Sequence, residues 1–232
     1  MLLLALDTAT NSGGVAVARN SEVVGLAMVK TPLRYSDHLM EYIEFLLGQL
    51  ELTIGEIDCF AVAVGPGSFT GLRIGIAAAK ALAQGLDRPA IGISTLEALA
   101  WRFRHVSGRV APMVDARRQQ IFGAVYAFDS DQPRLLEPEA VAPPAVWLSR
   151  LPAEPCLYVG DGAQMYASTV AGCRPEGRLL RTDNCILSEL CDLAFRRVLR
   201  GETGDAARLT ANYVRPSDAE LVAPADPERG SH

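Results

Sequence analysis

The stretch Gly65-Pro66-Gly67-Ser68-Phe69-Thr70-Gly71 carries the residue types that cradle phosphates. A glycine loop between a strand and a helix points backbone N–H groups at an anion, and the helix end adds partial positive charge. The apolar run Cys59 to Val64 precedes this loop, and a helix rich in Ala and Ile follows from about Gly71. Two nucleotide loops can be tested by spacing. A Walker A loop needs Lys-Ser/Thr after its last glycine, and Leu72-Arg73 stand there instead, so that reading fails. The dinucleotide fingerprint needs G-x-G-x-x-G, and this chain has one residue too many between its second and third glycines. A tight turn capped by the hydroxyl of Ser68 or Thr70 is the alternative. If the loop takes a phosphate, the residues to hold it are Gly65, Gly67 and Ser68, with Asp7 and Thr8 from the start of the chain.

Other chemistry is sparse. The histidines are His38, His105 and His232, without H-E-x-x-H or H-x-x-x-H spacing, so no metal site is expected from them. Ser68 lies in no G-x-S-x-G elbow, which gives a peptidase little support. Asp115 at a strand end and Asp161 between Gly160 and Gly162 are the nearest candidates for a phosphotransferase base and a phosphate-side residue. Each also reads as an ordinary turn residue. No catalytic residue is assigned. Five cysteines without C-x-x-C spacing point to a reducing compartment, and a cytoplasmic location is expected.

The elements that position these residues follow from the apolar pattern. Leu2 to Leu6, Val15 to Ala18 and Glu22 to Val29 read as strands, with the polar turn Asp7 to Gly14 after the first. An Asp ending a first strand, a Thr-rich turn and two more strands resemble the actin–Hsp70–sugar-kinase fold. Tyr35 to Leu50 is an amphipathic helix with a Leu39, Ile43, Leu46, Leu47, Leu50 stripe, which Met40 and Tyr42 broaden; Ser36 or Asp37 can cap it. After the loop, Gly71, Gly75, Ala78, Ala79 and Leu82 share one helical face nearly bare of side chain. Two glycines inside a helix cost about 1 kcal/mol each relative to Ala, which implies close approach of a second backbone. That backbone belongs either to this domain or to a partner subunit, and the partner is the expectation. Ala90 to Ile93 is a strand, and Ser94 or Thr95 caps the helix Leu96 to Arg104, with Glu97 placed for a capping box. The second half holds strands at Arg109 to Asp115, Gln120 to Asp129, Arg134 to Val141 and Cys156 to Val159. It also holds a short helix near Val146 to Ser149 and a longer one at Asn184 to Leu199. The order predicts an α/β fold of two β-β-β-α-β-α lobes, the second reduced. The boundaries expected are 1–105 for the first lobe, 106–215 for the second and 216–232 for a mobile tail.

The run GPGSFTGLRIGIAAAKALAQGL followed by IGISTLEALA resembles the signature of the TsaB (YeaZ) family. LLLALDTAT, DARRQQIFGAVY and Tyr213-Val214-Arg215 extend the resemblance over nearly the whole chain. It implies a non-catalytic subunit in the synthesis of threonylcarbamoyladenosine beside the anticodon of tRNA. It also implies a heterodimer with TsaD, a metal-binding paralogue whose paired-His motif is missing here, and the ATPase TsaE in the larger assembly. tRNA would be reached through the complex, and a homodimer would form when the partner is absent. No tightly bound cofactor is implied, with ATP or ADP at the subunit junction left open. The residues expected at the interface are Leu39, Ile43, Leu46, Gly71, Ile74, Gly75, Ala78 and Leu82. The alternatives are a small ATP-dependent phosphotransferase of the sugar-kinase type and, behind it, a peptidase.

The 232 residues are 49% hydrophobic, enough for a substantial core. A formal net charge of -5 argues against RNA binding as a solo task, though it leaves room for a local basic patch. The apolar N-terminus is too short for a signal segment, no run approaches the ~20 residues that cross a bilayer, and no membrane partner is expected.

Overall fold

The computed structural model describes residues 1–30, 35–128, 132–202 and 204–214. The tail expected over 216–232 and the strand end expected at Asp129 lie outside them, as do the side chains of Ser36 and Asp37, expected to cap the first helix.

Two five-stranded sheets form the frame. In the first, β1 (Leu2–Asp7), β2 (Ser12–Arg19) and β3 (Glu22–Lys30) make an antiparallel meander, and β4 (Cys59–Gly65) and β5 (Ala90–Ser94) add in parallel. The order is β3-β2-β1-β4-β5. Every residue of β1 is buried because it is the middle strand and is covered on both faces. Such a strand reads as a continuous apolar run, as Leu2 to Leu6 does. On one face α1 (Tyr35–Gln49) packs on β2 and β3, and α2 (Phe69–Gly85) packs on β4. The β5 end passes into α3 (Thr95–Trp101), which Ser94 caps by accepting from the backbone N–H of Leu96 and Glu97.

The second sheet holds β6 (Arg109–Asp115), β7 (Ile121–Phe128), β8 (Pro133–Ala142), β9 (Cys156–Val159) and the two-residue β10 (Arg178–Leu179). Its order, β8-β7-β6-β9-β10, repeats the first: third, second, first, fourth and fifth strand, with the same antiparallel and parallel pairings. The duplication that no residue-level repeat reveals is therefore visible in topology. Between the strands lie α4 (Pro144–Arg150), α5 (Asp161–Met165) and α6 (Ala167–Cys173). α5 begins at Asp161, between Gly160 and Gly162, and neither it nor α6 is among the helices expected from the sequence. Ala163, Tyr166 and Val170, spaced i, i+3 and i+7, carry the helical signal for that stretch.

The boundary at residue 105 needs correction. The last helix, α7 (Leu187–Leu199), contacts β1 to β5 and buries Leu187, Leu190, Cys191 and Ala194. It covers the face of the first sheet that α1 and α2 leave bare, so the first lobe is built from both ends of the chain. α7 also starts later than the expected Asn184, because the Asn184 side chain accepts from the Asp161 backbone N–H at 3.1 Å. Arg197 fastens α7 in place. Its guanidinium donates to both Glu97 carboxylate oxygens at 2.7 Å and to the Gly92 carbonyl at 2.8 Å. Glu97 thus holds Arg197 in place of the expected capping box. Arg197→Met removes the partner of a largely buried carboxylate and is expected to lower unfolding stability by about 3 kcal/mol. Urea denaturation measures this, and a loss under about 1 kcal/mol would mean the pair behaves as an exposed one.

Candidate functional site

The residues expected to hold a phosphate come together where β1 ends against the start of α2. They bind one another there. Thr8 Oγ1 donates to the Gly71 carbonyl at 2.7 Å, and the Ser68 backbone N–H donates to the Ala9 carbonyl at 2.8 Å. Ser68 Oγ caps α2 by accepting from the Gly71 N–H at 3.2 Å. A Cβ built on Gly67 would run into the Ala9 carbonyl oxygen, one on Gly71 into the Thr8 carbonyl oxygen, and one on Gly75 into Thr8 Oγ1. The glycines are thus required by the chain's own turn at Thr8-Ala9, which lies along the loop.

This corrects the expected interface. The bare face of Gly71 and Gly75 is an internal contact. Leu39, Ile43 and Leu46 are buried in the core under α1, because the apolar stripe of an amphipathic helix faces its own sheet. Ile74, Ala78 and Leu82 are half-buried on α2. The outward surface of the two helices carries Met40, 47% exposed, and Phe45, 61% exposed, with Ala77 and Ala81 exposed on α2. Phe45 drew no notice in the sequence because it falls off the main stripe.

Asp7 is fully buried. One carboxylate oxygen accepts from the Ala9 N–H at 2.8 Å, and the other has no hydrogen-bond partner among the described residues. Loss of solvent pushes its pKa up to about 7, against the smaller opposing pull of the Ala9 N–H.

A cleft of about 600 Å³ opens between the lobes beside this contact. Thr10, Ser68 and Arg73 line it from the first lobe, and Asp115, Arg117 and Asp161 from the second. The two acids are engaged in holding backbone. Asp161 accepts from the Asp115 N–H at 3.0 Å, and Asp115 accepts from the Arg117 N–H at 2.9 Å. Among the described residues no three His, Cys, Asp or Glu side chains are grouped to hold a metal ion.

The segment 204–214 is a strap that runs along β5 and α2 and brings Asn212, Tyr213 and Val214 to the cleft, a role sequence reasoning missed. Asn212 N–H donates to the Val64 carbonyl at 2.7 Å, and its side chain donates to Glu139 on β8. Glu139 also accepts from Tyr126 Oη at 3.1 Å and from Ser94 Oγ, so one carboxylate joins both sheets and the strap. Burial raises its pKa, with the three hydrogen bonds opposing. Tyr213 lies 4.9 Å from the Phe69 ring, and Arg73 covers Phe69 at 4.0 Å while donating to Tyr213 Oη at 3.2 Å. These partners are 140 residues apart, beyond the reach of local pattern.

Comparison with known proteins places this arrangement. A family model described as TsaD, tRNA N6-adenosine threonylcarbamoyltransferase, matches residues 30–170. A Bacillus subtilis protein named tRNA threonylcarbamoyladenosine biosynthesis protein TsaB is 30% identical over 225 residues, covering 95% of this chain and 96% of its own. A Pseudomonas aeruginosa crystal structure, described as an uncharacterized protein with similarity to peptidase YEAZ, is similar at 28% identity with a TM-score of 0.78. The match covers 92% of this chain and 99% of that one. The activator of 2-hydroxyisocaproyl-CoA dehydratase from Clostridium difficile, at 11% identity and TM-score 0.50 over 87% of this chain and 97% of its own, shares the fold alone. Similarity over nearly the full length of both chains shows that the chain belongs to the TsaB (YeaZ) family.

Proposed function

We propose that this chain is the non-catalytic subunit that pairs with a TsaD-type partner and supports threonylcarbamoyl transfer to the adenosine beside the anticodon of tRNA. Full-length similarity to proteins named for that pathway supports the role. The observation that carries the pairing is the outward surface of α1 and α2, where Met40 and Phe45 stand exposed on α1 and the small residues Ala77 and Ala81 on α2. Exposed apolar side chains on one helix and small ones on its neighbour allow a helix pair from a second subunit to approach closely. The same surface serves a homodimer when the partner is absent. A TsaE-type ATPase joins the assembly in the cytoplasm, and tRNA is engaged by the complex as a whole. The chain needs no resident cofactor in this role, and any ATP or ADP is shared at the junction of subunits.

A phosphotransferase would need its phosphate loop open. Here the backbone of Thr8 and Ala9 lies against Gly67 and Gly71, which disfavours that reading.

Phe45→Glu puts a charge at the centre of the proposed contact while leaving the core untouched. It is expected to weaken association with the partner at least ~30-fold, with the melting temperature within about 2 °C of the parent. Size-exclusion chromatography with light scattering, on the chain alone and mixed with its partner, reads both dimers. An unchanged heterodimer would place the interface elsewhere.

A further inference from the structure

The turn between β6 and β7 is built in an unusual way. Arg117, Arg118 and Gln119 hold φ of +61°, +51° and +59° in succession. Residues with side chains enter this left-handed region singly and at a cost, and hairpin turns that need it use Asn-Gly or Asp-Gly. Here the backbone closes tightly, Ala116 N–H to the Gln120 carbonyl and Gln120 N–H to the Arg117 carbonyl, each at 3.0 Å. The positions are nonetheless occupied by two arginines and a glutamine. Strain of this kind persists where the side chains it presents are needed.

A second observation lies across the cleft. Arg73 is exposed on α2, held flat on Phe69 and tied through its Nε to Tyr213 Oη. Its two terminal nitrogens make no hydrogen bond among the described residues. Arg117, whose side chain is 65% exposed, reaches Asn11 at 3.5 Å and the Asp115 carboxylate at 3.7 Å. Both arginines line the same cleft, with Tyr213, 45% exposed, beside them.

Guanidinium groups from two lobes and an exposed aromatic face match the chemistry of single-stranded RNA, with phosphate on the arginines and a base on the ring. An acidic protein segment would use the arginines and leave the ring idle. The net charge of -5 limits the footprint to a short segment, since an extended duplex contact needs a basic face. We propose that Arg73, the Arg117–Arg118 turn and Tyr213 grip a short single-stranded stretch of the tRNA, weakly in the chain alone at low salt and firmly once it is assembled with its partner. This rests on the functional reading above and names the part of this chain that touches the RNA.

The test is the double variant Arg117→Gly/Arg118→Gly in the assembled complex, with an unmodified tRNA transcript as probe. Glycine relieves the left-handed strain, so the melting temperature is expected to hold or rise, and partner affinity to stay unchanged. tRNA affinity is expected to fall about tenfold near 0.1 M salt, and the log–log salt slope to become shallower by roughly 0.7 for each phosphate the variant no longer neutralises. Unchanged tRNA affinity overturns the inference. So does a loss that merely follows weakened partner binding, which would assign the turn to the protein interface. If the parent chain and partner do not assemble, the functional reading fails first. The same variant is then compared with the parent chain alone on an anticodon stem-loop RNA at low salt. A parent that does not bind, or a variant that binds equally, overturns this inference as well.

Discussion

Gly71→Ala is expected to cost the isolated chain about 4 kcal/mol and to lower its melting temperature by roughly 8–16 °C. The added Cβ meets the Thr8 carbonyl oxygen, a backbone atom that cannot rotate away. Making room moves the turn after β1 off α2. That strains both the bond from Thr8 Oγ1 to the Gly71 carbonyl and the bond from the Ser68 N–H to the Ala9 carbonyl, each worth about 1 kcal/mol. The gain of about 1 kcal/mol from replacing a helical glycine with alanine is too small to offset this. Gly75→Ala offers an internal control, because its Cβ meets the Thr8 hydroxyl, which Thr8→Ala removes. The pair Gly75→Ala/Thr8→Ala should recover about 1–2 kcal/mol relative to additivity, and Gly71→Ala/Thr8→Ala no more than the roughly 1 kcal/mol of the Thr8–Gly71 bond that both changes disturb. Thermal melts followed by circular dichroism read the three single and two double variants. A Gly71→Ala chain melting within about 2 °C of the parent would mean that this face points outward after all.

The second large effect is on the pH dependence of stability. Asp7 titrates near 7 in the folded chain and near 3.9 when unfolded, so the folded state holds the proton more tightly. Its contribution is fully present below about pH 4, declines as pH rises, and is lost once pH passes 7. Three pK units correspond to about 4 kcal/mol, and partial relaxation around the buried carboxylate makes about 2–4 kcal/mol the expected fall between pH 4 and 8. Asp7→Asn keeps an oxygen for the Ala9 N–H and cannot ionise. Its stability should change little over that range, overtaking the parent at pH 8 and trailing it near pH 5. Urea unfolding at pH 5, 6, 7 and 8 supplies both curves. Parallel curves would show that Asp7 does not carry the dependence.

Much of this frame is legible in the sequence because the signals are local. Apolar runs broken by Gly65-Pro66-Gly67 or Gly160-Asp161-Gly162 mark strand ends, and Ser68 and Ser94 stand where caps are expected and act as caps. The orientation of the Gly71–Gly75 face is a different kind of fact. Bare helix surface looks the same in sequence whether it receives a neighbouring subunit or the turn at Thr8 and Ala9. Only the placement of that turn, more than 60 residues upstream, decides it. The network of Glu139, Ser94, Tyr126 and Asn212 is hidden for the same reason, since each member comes from a different segment. α7 shows a clear amphipathic pattern, yet nothing in the pattern names the sheet it will cover.

That last helix has a consequence for how the molecule is made. As the chain leaves the ribosome, all five strands of the first sheet emerge within its first 94 residues, and the helix that seals their second face begins only at Leu187. Through the intervening synthesis Leu3, Ala5, Ala16 and Ala61, which share the other face by register, lack that cover, and the contact that closes the lobe spans most of the polypeptide. Closure of so long a loop is slow, and a half-made sheet with a bare apolar face is prone to aggregate. The nascent first lobe is therefore a natural client for chaperones, and its maturation is tied to completion of the second.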